Sequence, residues 1–428
     1  MSEHRTADGP NYSGLYVGYV VVLLFLLNVL NTTDRLILAT VLEPIRQEFD
    51  LSDLELGLLG GLAFALVFST VGLPIARLAD RTVRRVVIAA SVIFWSVSTW
   101  ACGFATSYTH LLLGRFGVAA GESGFSPTSH SVISDYVSPA RRALAFSIYT
   151  LAGPVGIFVG NAAGGWLAEA FDWRMAFFGL GLPGVALGIV VLLTVKEPER
   201  GHSDRRAGIV VEGPQKGEVL RLLKNPAFAF TVIGSATHLF VTYGILNFLP
   251  SFFVRLHGMG LKETGLWLGT ISAIAGGASV LIFGWLADRL AQKRGRHWYA
   301  IVPAVTVVLT IPCALLLYLA GGKTAALVGL TLMAFFNSGY QAPRIALAQL
   351  IAPLHARATA SSIMILAENL IGLGLGPPIV GLISDLLAPS LQEDSLRWAL
   401  VLTFFVNIVS GLAFWLAARK LKQDAPKA

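Results

Sequence analysis

The segment "RALAFSIYTLA" (residues 142–152) returns later in the chain as "RATASSIMILA" (residues 357–367), with seven of the eleven positions identical. A shorter segment, "LADR", occurs at residues 78–81 and again at residues 286–289. Both pairs fall at equivalent places in two successive groups of apolar runs, and they keep the same order. Independent matches at similar spacings, 208 and 215 residues, indicate an internal repeat. We infer that the chain consists of two repeated halves.

The composition places these halves in a membrane. The chain has 428 residues, of which 55% are hydrophobic and only 13% are charged, whereas soluble domains carry about 25% charged residues. The net charge is +7, and the basic residues lie in short gaps between apolar runs. Membrane topology explains that placement without a nucleic-acid partner. The two cysteines, Cys102 and Cys313, lie inside apolar runs. Neither a disulfide framework nor a metal cluster is therefore expected.

Twelve apolar runs are long enough to cross a bilayer, which takes about 20 residues. We predict spans 1 to 12 at 15–42, 54–76, 86–106, 108–136, 140–167, 173–195, 227–255, 264–288, 298–320, 324–352, 357–387 and 397–419. The polar stretch 196–226 divides them into two groups of six. The expected fold is an all-α polytopic membrane protein with two pseudo-symmetric bundles of six helices. The N-terminal bundle would occupy 1–195, a cytoplasmic linker 196–226, and the C-terminal bundle with a cytoplasmic tail 227–428.

The distribution of lysine and arginine predicts the orientation of the chain. The gaps after spans 2, 4, 6 and 8 are basic, whereas gaps after odd-numbered spans are sparse in charge or acidic, as in residues 43–55. Because cytoplasmic loops carry the excess of basic residues, both termini are expected in the cytoplasm. We expect a multi-pass protein of the inner membrane, with lipid as its surroundings and a monomer as its working form.

Five ionisable side chains lie inside the predicted spans, where a charge is expensive and usually faces a wet cavity or another charge. They are Asp34 and Arg35 in span 1, Arg115 and Glu122 in span 4, and Glu368 in span 11. Neighbours on a helix point about 100° apart, so Asp34 and Arg35 should reach different partners. At about 1.5 Å per residue, Asp34 matches the depth of Arg115. Glu122 lies nearer the midplane, where a long Arg35 side chain would approach it.

These charges have candidate roles in transport. Burial disfavours an ionised carboxylate and a nearby arginine favours it, so Glu122, with Asp34, is the candidate proton-coupling group. Arg35 and Arg115 are suited to an anionic headgroup, because guanidinium binds phosphate or carboxylate through two hydrogen bonds. Glu368 is a candidate substrate-binding residue, although structural hydrogen bonding would explain it equally. For the whole set, the alternative is that these charges only hold helices together.

The loop after span 2, "ARLADRTVRR" (residues 76–85), resembles the G-x-L-a-D-R-x-G-R-R loop of the major facilitator superfamily, with Ala76 and Val83 replacing its two glycines. Asp80 and its second-half counterpart Asp288 lie near cytoplasmic helix ends. A salt-bridge cluster there would bias a two-state equilibrium, whereas ordinary cytoplasmic charge would explain the arginines alone. The predicted cytoplasmic gate consists of Asp80, Arg81, Arg84, Arg85, Asp288 and Arg289.

Two further motifs are similar to the Spinster family within that superfamily. Span 1 carries N-x-x-D-R, beginning at Asn31, and span 4 carries R-x-x-x-x-x-x-E followed by P-x-x-x-x-x-I-x-D, ending at Asp135. The chain resembles a prokaryotic homologue of the Spinster family. This resemblance implies a major facilitator fold, export of lysolipids or sphingoid phosphates, and proton coupling. It also adds Asn31 to the candidate substrate-binding residues.

The sequence offers no catalytic arrangement, since it has no Walker A loop, zinc-spaced histidine pair or G-x-S-x-G elbow. We therefore expect no enzyme activity, no cofactor and no metal. The leading prediction is a secondary transporter that works by alternating access and moves amphipathic, lipid-like molecules with protons. The alternative is a proton-coupled carrier of small organic anions, sugar phosphates or drugs. A long apolar track in the cavity would favour the first.

Overall fold

The computed structural model describes residues 12–200, 217–353 and 356–423, apart from the side chains of Leu73, Ala76, Asp80, Pro139, Ala140, Ala143 and Ala358. Within these ranges the chain is helical throughout. Nine stretches are long and apolar enough to cross a membrane by length and composition, and the last of them, Thr359–Gln423, contains two spans. The more polar span 4 and the broken span 10 complete the twelve spans predicted from the sequence.

The first six spans form one group. Spans 1, 3, 4 and 6 are single helices, whereas a π-helical turn interrupts span 2 and a one-residue break at Leu151 divides span 5. Their helices are Gly14–Phe49, Asp53–Gly57 with Leu58–Leu62 and Ala63–Arg81, Arg84–Cys102, Tyr108–Tyr136, Pro139–Thr150 with Ala152–Ala170, and Trp173–Thr194.

The second six spans repeat this pattern after a short helix, Glu218–Lys224. Residues 201–216 of the predicted linker lie outside the described residues. The spans are Pro226–His257, Leu261–Ile271 with Ser272–Gly276 and Gly277–Arg294, Trp298–Leu319, Lys323–Ser338 with Gln341–Ile351, Arg357–Ala367 with Glu368–Leu373 and Gly374–Leu391, and Ser395–Phe404 with Val406–Gln423. A 3-10 turn, Gln392–Asp394, precedes Ser395.

Local sequence explains where several spans begin. Ser13, Ser107 and Asn225 each cap the helix that follows with a side-chain oxygen, as expected of these residue types at a helix start. Ser52 forms a reciprocal capping box with Glu55 at the start of span 2. Span 1 continues to Phe49, seven residues beyond its predicted end at 42, because a helix need not stop where its apolar run stops.

Interruptions fall in corresponding spans of the two halves. One π-helical turn lies in span 2 at Leu58–Leu62, close to the start of the span, and another lies in span 8 at Ser272–Gly276, nearer its middle. The break at Leu151 in span 5 lies close to the equivalent of the π-helical turn Glu368–Leu373 in span 11. Such turns are frequent at functional sites. Here they divide four of the six spans that contact each other across the boundary between the two halves.

Three pairs of spans join the halves: 5 with 8, 2 with 11, and 1 with 7. We call the end of the bundle that holds Gly14 and Gln423 the terminal end, and the opposite end the far end. Close helix approach at the far end depends on glycine. A Cβ on Gly381 in span 11 would collide with the Asp53 carbonyl, and one on Gly265 in span 8 would collide with the Asn161 carbonyl. The far end of the bundle is therefore tightly closed.

Candidate functional site

A cavity of about 340 Å³ lies between the two halves. Spans 1, 2, 4 and 5 of the first half and spans 7, 10 and 11 of the second contribute to its wall. Its polar lining includes Asn31, Thr32, Arg35, Arg115, Thr242, Tyr243, Asn247 and Gln341, and its apolar lining includes Leu36, Ile157, Leu239, Leu246, Leu373 and Pro377. The charged groups of this wall come from the first half and much of the apolar surface from the second, so the wall is amphipathic.

Arg35 and Glu122 form the central ion pair of this site. The Nε of Arg35 donates to Oε2 of Glu122 across 2.6 Å. The Arg35 side chain retains 29% of its exposure, whereas that of Glu122 is fully buried. The approach of Arg35 to Glu122 that helix depth predicts is thus present. Because only the arginine faces the cavity, a ligand would meet Arg35 before Glu122.

Arg115 lies near the same aromatic ring as Arg35, that of Phe64. The guanidinium carbons of Arg35 and Arg115 lie 5.0 and 5.2 Å from the centroid of Phe64. Arg115 is 3% exposed, and among the described residues no carboxylate lies within ion-pair distance of it. The two arginines therefore share one cation–π platform, which holds like charges near each other in a low-dielectric setting.

Asp34 points away from Arg35, as neighbouring positions on a helix must. It is 3% exposed, and Thr99, Trp95 and Arg115 are among its electrostatic neighbours. The depth match with Arg115 therefore brings the two residues near each other, but not into an ion pair within 4 Å among the described residues. Asp34 does not line the cavity.

Four polar atoms of this cluster have no hydrogen-bond partner within the described chain: Nδ2 of Asn31, Oδ1 of Asp34, Nε of Arg115 and Oε1 of Glu122. Buried polar atoms are normally paired. Asn31 lies toward Glu122, and Asp34 lies toward Thr99 and Trp95. The unpaired Nε of Arg115, which lines the cavity, therefore leaves bonding capacity for a ligand.

Glu368 lies in a second buried cluster, outside the cavity lining. It forms an ion pair with Arg344 of span 10 and accepts a hydrogen bond of 2.6 Å from Ser235 of span 7. The Arg344 guanidinium lies 5.3 Å from the centroid of the Tyr340 ring. The sequence left structural bonding and a cavity role open for Glu368. These contacts supply the bonds that a structural role requires, and its place in substrate binding stays a prediction.

The predicted gate residues bind within their own halves in this structure. Arg84 is 2% exposed and pairs with Asp135 at 2.5 Å and with Glu197 at 2.7 Å. In the second half, Asp288 accepts a hydrogen bond of 2.7 Å from Tyr299. Arg85 donates its backbone N–H to Glu197, and Arg289 stacks on Trp285. Arg81 is exposed, and the Asp80 side chain lies outside the described residues. Their gating role stays a prediction.

Sequence reasoning missed an ion cluster at the far end. Arg255 of span 7 binds Glu43 of span 1 at 2.5 Å and Asp53 of span 2 at 2.8 Å, and Ser384 of span 11 donates to Asp53 at 2.6 Å. Every side-chain hydrogen bond or ion pair that joins described residues of the two halves lies at this end. The acidic gap 43–55 was the available signal, since its carboxylates needed a cation.

Comparison with known proteins agrees with this architecture. The family model of the major facilitator superfamily matches residues 24–377 and 266–428. An MFS-type efflux pump of Mycolicibacterium smegmatis is 32% identical over 424 residues, which covers 99% of this chain and 96% of the relative. The sphingosine-1-phosphate transporter SPNS2 of Danio rerio is 28% identical over 428 residues, covering 94% of this chain and 84% of the relative.

A solved structure extends the similarity to three dimensions. The crystal structure of a bacterial homologue of the human lysosomal transporter Spinster, in an inward-facing and unoccupied conformation, superposes with a TM-score of 0.86 at 27% identity, covering 97% of this chain and all of the other. The resemblance to Spinster proteins drawn from spans 1 and 4 is confirmed. The chain therefore belongs to the major facilitator superfamily, and it resembles the Spinster transporters along nearly its whole length.

Proposed function

We propose that this protein is a proton-coupled secondary transporter that moves an amphipathic anion by alternating access. The observation that carries the proposal is the cavity between the halves, where Arg115 has no carboxylate at ion-pair distance among the described residues and Arg35 is held by Glu122 alone. A guanidinium in such a setting is a binding group for phosphate or carboxylate. Transport itself is the shared activity of the family.

The Arg35–Glu122 pair supplies a mechanism for coupling. When Glu122 is ionised, it holds the guanidinium of Arg35 at 2.6 Å. Protonation of Glu122 removes that attraction and frees Arg35 for an anion in the cavity. Proton binding to Glu122 and anion binding to Arg35 are then linked. Whether they compete or cooperate depends on which side of the membrane the cavity faces. Asp34 is a second candidate acid in the same cluster.

The cavity wall supports an amphipathic substrate. Arg35 and Arg115 form its cationic part, and Leu239, Leu246 and Leu373 contribute to its apolar part. A relative is named for transport of sphingosine-1-phosphate, which has the same combination of anionic headgroup and apolar tail. The alternative substrate class is a small organic anion, sugar phosphate or drug. The volume of about 340 Å³ favours that alternative, since it lies at the low end of ligand pockets.

Topology and organisation complete the proposal. The basic residues of the terminal end, such as Arg84 and Arg289, support a cytoplasmic terminal end in the inner membrane. The far end would then face outward, and its closed state would correspond to an inward-facing transporter. The proposed division is a bundle at 1–195, a linker at 196–226 and a bundle at 227–428. We propose that lipid surrounds a monomer with no enzyme activity.

Transport into proteoliposomes tests the proposal. Uptake of a lysophospholipid and of a hexose phosphate is compared with and without an imposed pH gradient. If the lysophospholipid alone is taken up, and its uptake depends on pH, the result supports an amphipathic substrate. Uptake of the hexose phosphate alone selects the alternative substrate class. Transport of neither, or equal transport without the gradient, contradicts proton-coupled anion transport.

Arg115→Ala separates anion binding from a structural role. We expect it to weaken uptake of the anionic substrate more than uptake of a neutral analogue, because only the anion uses the guanidinium. Arg397→Ala is the control, since Arg397 pairs with Asp394 of its own segment at 2.7 Å, away from the cavity lining. Equal losses for both substrates in Arg115→Ala would assign Arg115 a structural role.

A further inference from the structure

The start of span 2 receives two of its hydrogen bonds from the other half of the protein. The first backbone N–H groups of a helix have no partner within the helix. Here Ser52 accepts from the N–H of Glu55 at 3.2 Å. The two groups before it, the N–H of Asp53 and of Leu54, donate to the two carboxylate oxygens of Asp385 in span 11, at 3.0 and 2.8 Å. A carboxylate of the second half thus completes the cap of a helix in the first half.

The start of span 8 has the reverse arrangement. Glu169, at the far end of span 5, accepts a hydrogen bond of 2.8 Å from the N–H of Lys262. Gly260, the residue before this helix, provides no side-chain cap. A Cβ at Gly260 would lie 2.5 Å from Oε2 of Glu169, so a side chain there would displace the carboxylate. A carboxylate of the first half therefore caps a helix in the second.

The two caps are related by the pseudo-symmetry of the fold. Spans 2 and 8 are equivalent, as are spans 5 and 11, and each cap runs from one pair to the other at the far end. Both capped helices are long, Asp53–Ala79 and Leu261–Arg294, and both continue through a π-helical turn. A carboxylate near a helix N-terminus also interacts favourably with the helix dipole. Neither bond survives if the halves separate at this end.

We propose that Asp385 and Glu169 are a matched pair of cross-half helix caps that hold the far end closed, and that their release is a step in opening it. They act beside the Arg255 cluster rather than through it, because Arg255 binds the side chains of Glu43 and Asp53 whereas Asp385 binds only the backbone of the span 2 start. The pair favours the closed far end because the open state leaves three backbone N–H groups, those of Asp53, Leu54 and Lys262, to water.

A distance measurement between the halves tests this inference. Cys102→Ala and Cys313→Ala remove the native thiols, and Gln47→Cys and Ser390→Cys place exposed spin labels on spans 1 and 11 at the far end. Double electron–electron resonance of the labelled protein in nanodiscs gives the distance distribution between the labels, and from it the ratio of molecules with a separated far end to molecules with a closed far end. Loss of one helix cap costs about 1 kcal/mol, which is a change of about fivefold in that ratio.

We expect Asp385→Ala and Glu169→Ala each to raise the ratio about fivefold, and the double variant about 25-fold because distant sites act independently. Asp385→Asn and Glu169→Gln keep the shape and are expected to raise it by a smaller factor, so they serve if an alanine variant is not recovered folded. Melting temperature and elution volume establish the folded state of every variant.

Two carboxylates of the same end serve as controls, because each pairs within its own half: Glu263 with Lys323, and Asp172 with Arg174. Glu263→Ala and Asp172→Ala should leave the ratio within twofold of the parent. A folded double cap variant that stays within twofold, or a control that changes the ratio as much, overturns the inference. Because no substrate or pH gradient is used, this result is independent of whether the proposed transport activity holds.

Discussion

At the scale of single residues, adjacent positions in span 1 have opposite tasks. Asp34 points into the first half, beside Trp95 and Thr99, while Arg35 points toward Glu122 and the cavity. A helical turn of about 100° per residue is sufficient to separate them. Under the proposed function, this separation would let Arg35 bind an anion in the cavity while Asp34 stays within the first half.

Glu122→Gln tests the role of the buried acid. The amide keeps the shape of the side chain and cannot exchange a proton, so we expect pH-driven transport to fall to background while the amount of folded protein stays near normal. Counterflow exchange without a pH gradient is expected to persist, because it needs no net proton movement. The measurement is uptake in proteoliposomes with matched protein content. Unchanged pH-driven uptake would remove Glu122 from the coupling mechanism.

At the scale of elements, spans 2, 5, 8 and 11 are helices built in two parts. Each is interrupted along its length, span 2 close to its start, and the part toward the far end packs across the boundary between the halves. Glycine permits backbone contact in these seams, as at Gly265 against the Asn161 carbonyl. The interruptions thus separate a segment that closes the far end from the rest of the same helix.

Gly265→Val is expected to open the seam between spans 5 and 8. Its Cβ would meet the backbone of span 5, which cannot rotate away as a side chain would, and overpacking typically costs about 1–3 kcal/mol. We expect backbone hydrogen exchange in Leu261–Ile271 to accelerate about tenfold. Gly277→Val is the matched control in the same span, because no atom lies within 4 Å of its added Cβ. Equal exchange rates for both variants would refute the close contact.

At the scale of the whole molecule, the far end is where the halves are bonded and the terminal end is where the predicted gate residues bind within their own half. Arg255 contributes three of the hydrogen bonds across the boundary. Glu43 and Asp53, which it neutralises, are only 2% and 6% exposed. Arg255 therefore joins two buried carboxylates of the first half to the second half, while Arg46 gives Glu43 a further cation within its own helix.

Arg255→Gln is expected to shift the protein toward a far-end-open state. It leaves Asp53 without a cation and Glu43 with Arg46 of its own helix alone, and breaking a buried ion pair costs at most about 3–5 kcal/mol. Single-molecule energy transfer between dyes on the two halves measures the shift. Arg397→Gln, which disrupts a pair within one segment, is the control. A distance distribution for Arg255→Gln identical to that of the control would show that the cluster does not set the conformation.

The sequence by itself determined the helical membrane architecture, the two repeated halves and the charged residues of spans 1 and 4. Lipid makes this possible, since every spanning backbone must bond internally as a helix and every charge inside it stands out. The depth of each residue along its helix also predicted that Arg35 approaches Glu122. Only the tertiary structure decided that Asp34 and Arg115 lie near each other without pairing, that Arg84 binds Asp135, and that Arg255, Asp385 and Glu169 join the halves. Those contacts depend on how helices rotate, bend at their interruptions and meet across the boundary, and no local pattern of residues fixes these.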